Sequence, residues 1–184
     1  MLLALLIKKL LLADLKRLSL KRGRVILASG KTSDYYFDAR ISSLSGTTAY
    51  YIAAVILDMI KKDRVDAIGG LTLGADPIVG AVTALSHTVK RPLNGFIVRK
   101  SEKSHGMKKL IEGPLLKKSS RVVIIDDVVT TGSSTVQAIE AVRNIGCKIV
   151  RVIAVVDRME GARENIKKFG LELEPIFTIK DFNV

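Results

Sequence analysis

Short runs of apolar, β-branched residues alternate along this chain with longer stretches in which apolar residues recur at helical spacing. Residues 122–125, VVII, are too few for a core helix, and residues 148–157, KIVRVIAVVD, have the same character. Such runs are typical of parallel strands that are buried on both faces. The apolar stripe of residues 47–61 predicts a helix between strands. The alternation predicts an α/β fold: an open, mostly parallel sheet flanked by helices, with ligands at the carboxyl ends of the strands.

The first 45 residues do not follow this alternation. Residues 1–12, MLLALLIKKLLL, predict an amphipathic helix; the two lysines and the lack of a cleavage site argue against a signal peptide, and the stretch is too short to span a membrane. Residues 25–40, VILASGKTSDYYFDAR, place turn residues between two β-prone runs, which predicts a hairpin. Because nothing marks a linker, we predict a single domain over residues 1–184, with residues 1–45 contributing the helix and the hairpin.

The amino-acid composition excludes few classes of function. The formal net charge is +12, which favours anionic ligands, but aromatic residues make up only 5% of the chain and there is no basic helix. We therefore expect a small phosphorylated substrate rather than nucleic acid, and no membrane partner. The single cysteine, Cys147, excludes a disulfide within the chain and favours a reducing, cytoplasmic setting.

Residues 121–134, RVVIIDDVVTTGSS, carry the strongest chemical signal. A buried strand ends in Asp126 and Asp127, and a small, hydroxylated loop leads into a helix. Such a loop points backbone N–H groups at one concavity, which suits a phosphate dianion, whereas the two acids suit sugar hydroxyls or a nearby metal. Each half alone is common as plain structure. The spacings of a Walker loop and of a dinucleotide fingerprint are both absent.

Three further segments are weaker signals. Residues 66–77 read as a strand, a glycine loop and a helix, which is an anion cradle in outline. The basic segment 99–113, RKSEKSHGMKKLIEG, is either a solvated loop or a lid, and its place between two strands favours a lid. Arg158 follows the strand that ends in Asp157 and, taken alone, is consistent with a surface residue at a helix start.

Together these segments resemble a known family. Residues 122–134 resemble the phosphoribosyl pyrophosphate (PRPP) signature of the type I phosphoribosyltransferases. The segments SGKTSDYYFD, RKSEKSHG and DRMEGA, in this order, resemble the orotate phosphoribosyltransferases. The resemblance implies a type I phosphoribosyltransferase fold with a small N-terminal hood over the base. It also implies transfer of ribose 5-phosphate from PRPP to orotate with Mg²⁺, in pyrimidine (UMP) biosynthesis.

The same resemblance implies roles for individual residues. Lys103 and Asp127 are the implied catalytic residues. Orotate contacts fall on Thr130, Arg158, Tyr36 and Phe37. PRPP contacts fall on the basic segment and the signature: Arg99, Lys100, Lys103, His105, Asp126, Asp127, Val128, Val129, Thr130, Thr131, Gly132, Ser133 and Ser134. Mg²⁺ is expected to be held mainly by PRPP, near Asp126 and Asp127.

The resemblance also implies a homodimer in which Lys103 and His105 close over the partner's site. Two positions depart from the family pattern, because many members have lysine where Ala28 stands and some have lysine near Gly74. These departures leave part of the cosubstrate binding unassigned. A purine or xanthine phosphoribosyltransferase and a PRPP-binding regulatory protein are the alternative functions.

Overall fold

A computed structural model describes residues 2–26, 32–101 and 110–184. Helix α1 (Leu2–Leu18) leads into an antiparallel hairpin of β1 (Leu20–Ile26) and β2 (Thr32–Phe37). Two helices follow, α2 (Ala39–Ser43) and α3 (Gly46–Met59). The predicted N-terminal helix and hairpin are thus confirmed. Within the described residues, no helix combines the length and the apolar character that a bilayer crossing requires.

The remaining elements build one six-stranded sheet with the strand order β5-β4-β3-β6-β7-β8. All neighbours in it are parallel except β5, which pairs antiparallel with β4. The strands are β3 (Ala67–Leu71), β4 (Asn94–Val98), β5 (Ile111–Glu112), β6 (Arg121–Val129), β7 (Lys148–Asp157) and β8 (Leu173–Thr178). The helices between them are α4 (Asp76–Thr88), α5 (Ser133–Asn144) and α6 (Ala162–Lys167), and a 3₁₀ turn, Ile179–Phe182, follows β8.

The sheet is buried on both faces, as the unbroken apolar runs predict. Alternate residues of β6 enter opposite cores: Val123 and Ile125 pack with α1, α3 and α4, whereas Val122 and Ile124 pack with α5 and α6. This follows from the two-residue side-chain period of a strand. The predicted α/β fold with an open, mostly parallel sheet is confirmed.

Two details differ from the sequence expectation. Strand β6 does not end at the acids but runs on to Val129, because the neighbouring β7 offers ladder partners as far as Asp157. The basic segment is not a loop up to Gly113, since Ile111 and Glu112 pair with the end of β4 as a short edge strand. The carboxyl ends of β3, β4, β6 and β7 lie at one edge of the sheet, where the candidate site is found.

Candidate active site

Two adjacent carboxylates lie near the end of the central strand β6. Asp126 is buried, and its Oδ2 accepts a hydrogen bond from Thr135 Oγ1 at 2.8 Å. Its Oδ1 accepts one from the backbone N–H of Asp127 at 3.0 Å. Asp127 is only partly buried, and its Oδ1 accepts the N–H of Val128 at 2.8 Å. Both side chains are thus oriented by short bonds to their own segment.

Burial changes the acidity of this pair. Desolvation first, and the charge of Asp127 second, raise the pKa of Asp126 from 3.8 to about 7. Desolvation also raises the pKa of Asp127, although the charge of Arg40 opposes this effect. An aspartate pair whose charged form is destabilised gains when sugar hydroxyls or a cation arrive to satisfy it.

The loop after β6 exposes the start of a helix. Gly132 precedes α5 with a φ of +79°, and no side chain caps the helix there. A Cβ at Gly132 would lie 3.2 Å from the Cβ of Ala162, so the position favours glycine in both conformation and space. The first backbone N–H groups of α5 are therefore open at the positive end of its dipole, where a phosphate binds well.

A second loop approaches the acids from β3. The peptide between Thr72 and Leu73 is cis, and the Thr72 N–H donates to the carbonyl of Val98 at 2.9 Å. At Gly74 a Cβ would collide with the carboxylate of Asp127. Only a glycine lets the backbone pass this close, so the 72–74 loop and Asp127 face each other directly.

These parts surround a cleft of about 320 Å³. We call residues 126–134 the motif wall. We call residues 36–40, the 72–74 loop and Lys100 the opposite wall. The residues that line the cleft are Tyr36, Phe37, Asp38, Ala39, Arg40, Leu71, Thr72, Leu73, Gly74, Lys100, Asp126, Asp127, Val128 and Ser134.

Known proteins match this chain over most of its length. The family description "Phosphoribosyl transferase domain" matches residues 54–184. The orotate phosphoribosyltransferase of Aquifex aeolicus (strain VF5) is 45% identical over 155 residues, 84% of either chain. That of Synechocystis sp. is 44% identical over 161 residues, 88% of this chain and 81% of the relative. The chain belongs to the orotate phosphoribosyltransferase family.

A solved structure supports the same relationship. The orotate phosphoribosyltransferase of Mycobacterium tuberculosis H37Rv, in complex with 5-phospho-alpha-D-ribosyl 1-diphosphate, matches with a TM-score of 0.81 at 34% identity. The match covers 97% of this chain and 99% of the other. The orotate phosphoribosyltransferase fold therefore extends over nearly the whole chain, including the N-terminal hairpin.

The residues expected to bind PRPP fall into three groups in this family member. Asp126, Asp127, Val128, Ser134 and Lys100 line the cleft. The rest of the signature forms the end of β6, the loop and the first turn of α5; these residues are Val129, Thr130, Thr131, Gly132 and Ser133. Lys103 and His105, like Ala28, lie outside the described residues.

Arg99 follows β4 and is not among the residues that line the cleft. Its Nη1 lies 3.5 Å from Glu112 Oε1, and its backbone N–H donates to the carbonyl of Leu110 at 2.8 Å. Both partners belong to the far end of the basic segment. Arg99 thus closes the base of that segment, and a contact between Arg99 and PRPP stays a prediction.

Two of the expected orotate residues, Tyr36 and Phe37, lie on β2, a third, Arg158, contacts this strand at Tyr35, and Thr130 follows the end of β6. The Arg158 guanidinium lies 5.2 Å from the centre of the Tyr35 ring, and its Nε is 3.0 Å from Glu160 Oε1. The Tyr36 ring is 39% exposed, whereas the Phe37 ring is buried against Phe182. Tyr36 is therefore available to a base, and Phe37 is held mainly by the core. Their contacts with orotate stay predictions.

Sequence reasoning missed three polar residues of the site. Thr135 orients Asp126 and stands one residue beyond the signature. Asp38 and Arg40 follow the aromatic run of β2 and enter the cleft as an ion pair. The Asp-Ala-Arg sequence was a signal for the pair, since an aspartate before a short helix caps it and a nearby arginine can pair with that cap.

Proposed function

We propose that this protein transfers ribose 5-phosphate from PRPP to N1 of orotate, giving orotidine 5-monophosphate and pyrophosphate in de novo pyrimidine synthesis. The observation that carries the proposal is the position of Asp126 and Asp127 in one cleft, between the open start of α5 and the 72–74 loop. The cleft therefore offers a separate place for each part of PRPP: the 5-phosphate, the ribose and the pyrophosphate. Membership of the orotate phosphoribosyltransferase family supports the choice of reaction.

The motif wall suits the ribose 5-phosphate. Residues 130–134 offer backbone N–H groups and hydroxyls to the 5-phosphate. Asp127 is the less buried acid and accepts hydrogen bonds from the 2- and 3-hydroxyls of the ribose. Asp126 is more deeply buried, accepts a hydrogen bond from Thr135 and supports Asp127. The donor is then fixed at both ends of its sugar, which orients C1 for reaction.

The reaction is a substitution at C1 of the ribose. The bond between C1 and the pyrophosphate oxygen breaks with its electron pair leaving on pyrophosphate, while N1 of orotate forms the new bond to C1 and gives up its proton, for which the departing pyrophosphate is the acceptor. The sugar gains positive character and the leaving group gains negative charge, so placed cations stabilise the transition state. Lys100 lines the cleft, where its positive charge stabilises the leaving group. Arg99, Lys103 and His105 supply further positive charge from the basic segment.

Mg²⁺ fits this site as a partner of the substrate. Within ranges 2–26, 32–101 and 110–184, no cluster of three or more metal-ligating side chains exists. Two adjacent carboxylates with raised pKa values offer hard oxygen ligands, which suit Mg²⁺ when the remaining ligands come from phosphates and water. When bound, the ion neutralises charge on the diphosphate. Asp126 and Asp127 are the residues that would hold it, together with the substrate.

Orotate is placed between the hood and the end of β7. Tyr36 offers an exposed ring for stacking, with Phe37 supporting it from the core. Arg158 offers a planar guanidinium for the orotate carboxylate, and Thr130 completes the pocket. This assignment explains why a carboxylated pyrimidine, rather than a neutral base, is the acceptor.

The basic segment acts as a lid on the partner's site in our proposal. The protein is a cytoplasmic homodimer, and Lys103 and His105 of one subunit contact the pyrophosphate bound in the other. Closure of a cationic lid excludes water that would otherwise hydrolyse the activated sugar.

The direct test follows the absorbance of orotate when PRPP and Mg²⁺ are added to the purified protein. Hypoxanthine, guanine, xanthine and uracil are assayed in parallel, and omission of PRPP or of Mg²⁺ provides the controls. We expect loss of the orotate signal only when both are present.

Two results contradict the proposal. Turnover of a purine without turnover of orotate would keep the PRPP site but discard the roles of Tyr36 and Arg158. Binding of PRPP without turnover of any base would indicate a regulatory protein.

A further inference from the structure

Arg40 is a cation on the opposite wall that the mechanism above does not use. Its Nε donates to Asp38 Oδ1 at 2.9 Å and its Nη2 donates to Asp38 Oδ2 at 2.9 Å. Its backbone N–H also donates to Asp38 Oδ1, at 3.1 Å. The guanidinium is thus held by a bidentate ion pair. Its Nη1 donates no hydrogen bond within the described ranges.

The ion pair is fixed to the frame of the domain. Asp38 caps α2, and its own N–H donates to the carbonyl of Ser19 at 3.0 Å. The Arg40 carbonyl accepts the N–H of Leu44 at 3.0 Å at the end of the same helix. The Arg40 side chain lowers the pKa of Asp38, which keeps the pair charged. A guanidinium held in this way loses little conformational entropy when it binds a ligand.

Arg40 faces the part of the cleft that lacks other positive charge. The 72–74 loop contributes Leu73, whose side chain is 67% exposed, and Gly74, so it offers no cation. Among the described residues that line the cleft, Lys100 and Arg40 carry the positive charges. Desolvation raises the pKa of Asp127, and the charge of Arg40 acts on that carboxyl in the opposite direction. A pyrophosphate group carries several negative charges, so a cation on the cleft wall adds to the positive charge that Lys100, the basic segment and Mg²⁺ supply.

We propose that Arg40 binds the pyrophosphate group of the donor through its Nη1, as a second cation beside Lys100. The inference rests on the proposed function, because it assigns a residue to the leaving group of that reaction. Asp38 alone is sufficient to cap α2, and the Arg40 side chain is 51% exposed, so neither capping nor packing requires an arginine here. Orotate is a poorer candidate, because its carboxylate already has Arg158, which lies beside Tyr35.

The experiment compares Arg40→Gln with the unchanged protein in the presence of Mg²⁺. Calorimetry measures the affinities for inorganic pyrophosphate, ribose 5-phosphate and orotate, and steady-state assays give KM for PRPP. Arg17→Gln is the matched control, because Arg17 forms a similar ion pair with Asp14 at 2.8 Å on α1. Arg40→Lys tests whether charge alone is sufficient. Melting temperatures confirm that each variant is folded.

We expect Arg40→Gln to weaken pyrophosphate binding roughly tenfold to a hundredfold, which is the range for loss of one charged hydrogen bond. Affinities for ribose 5-phosphate and orotate should stay unchanged, and Arg40→Lys should recover part of the loss. Unchanged pyrophosphate affinity, or equal losses for all three ligands, would overturn the inference. If the unchanged protein binds pyrophosphate through Arg40 but does not consume orotate, that result overturns the proposed function and leaves this inference standing.

Discussion

The two walls of the cleft are built from the chain in different ways. The motif wall is one continuous segment of nine residues, 126–134, whose acids are held by bonds to Thr135, Asp127 and Val128. The opposite wall joins three segments that are far apart in the sequence, and it carries the exposed cations Arg40 and Lys100. One wall carries the acids and is fixed by local hydrogen bonds, whereas the other carries exposed cations and is assembled by the fold.

This difference matches a division of labour in the proposed reaction. The 5-phosphate keeps its charge and the ribose hydroxyls do not react, so a rigid wall suits them. The pyrophosphate gains charge as it leaves, so cations that reach it late are more effective than a uniformly attractive site. We therefore expect changes on the motif wall to affect donor binding and stability, and changes among the cations to affect turnover.

The largest effect is expected for a lid cation. Lys103→Ala should lower turnover by roughly 10² to 10³, because one placed electrostatic group is commonly worth that much. Mixing Lys103→Ala with Asp127→Asn subunits tests the proposed dimer, since each mixed dimer then has one complete site if the lid acts on the partner. Recovered activity after mixing supports this arrangement. No recovery would place the lid on its own subunit.

On the motif wall, Asp127→Asn should lower kcat/KM for PRPP about tenfold to a hundredfold. The variant weakens hydrogen bonds from the ribose hydroxyls to a charged oxygen, and such bonds contribute about 1.5–3 kcal/mol each. Steady-state assays at varied PRPP measure the change. Full activity of the variant would remove Asp127 from the sugar site, while unchanged affinity for orotate is the internal control.

The difference between the two walls also explains which parts of the site could be predicted from the sequence. The motif wall was predictable because its strand, acids and helix start are neighbours in the chain, and each has a local signal. The extension of β6 past Asp127 was not, because it depends on β7 as a pairing partner. Arg40 was missed because its importance comes from facing Asp127 and Gly74, which only the folded sheet brings near. The confirmed fold followed from the alternation of buried strands and helices.

A smaller effect is expected at Gly132, where stability and PRPP binding can be measured separately. Gly132→Ala and Gly170→Ala both place a side chain at positive φ, +79° and +66°, so each should cost about 1–2 kcal/mol of stability. Melting curves should show losses of about 2–4 °C per kcal/mol, somewhat larger for Gly132→Ala, whose added Cβ would also lie 3.2 Å from that of Ala162. Only Gly132→Ala should also raise KM for PRPP, because its N–H groups face the 5-phosphate. Equal KM values for the two variants would contradict the assignment of this loop.

The smallest effect, expected for Asp126→Asn, depends on pH. The folded-state pKa of Asp126 is raised, so its neutral form is favoured by folding. The stability this provides is present below the ordinary value of 3.8 and is lost as pH rises through about 7. Asparagine carries no charge to desolvate, so the variant should match the unchanged protein at low pH and melt at a higher temperature above neutrality. Asp58→Asn, at an exposed ion pair with Lys61, is the control and should show no such divergence. If the melting temperatures of Asp126→Asn and the unchanged protein instead change with pH in parallel, the hydrogen bond from Thr135 fully stabilises the charged carboxyl. Burial of Asp126 then has no electrostatic cost that a bound ligand could reduce.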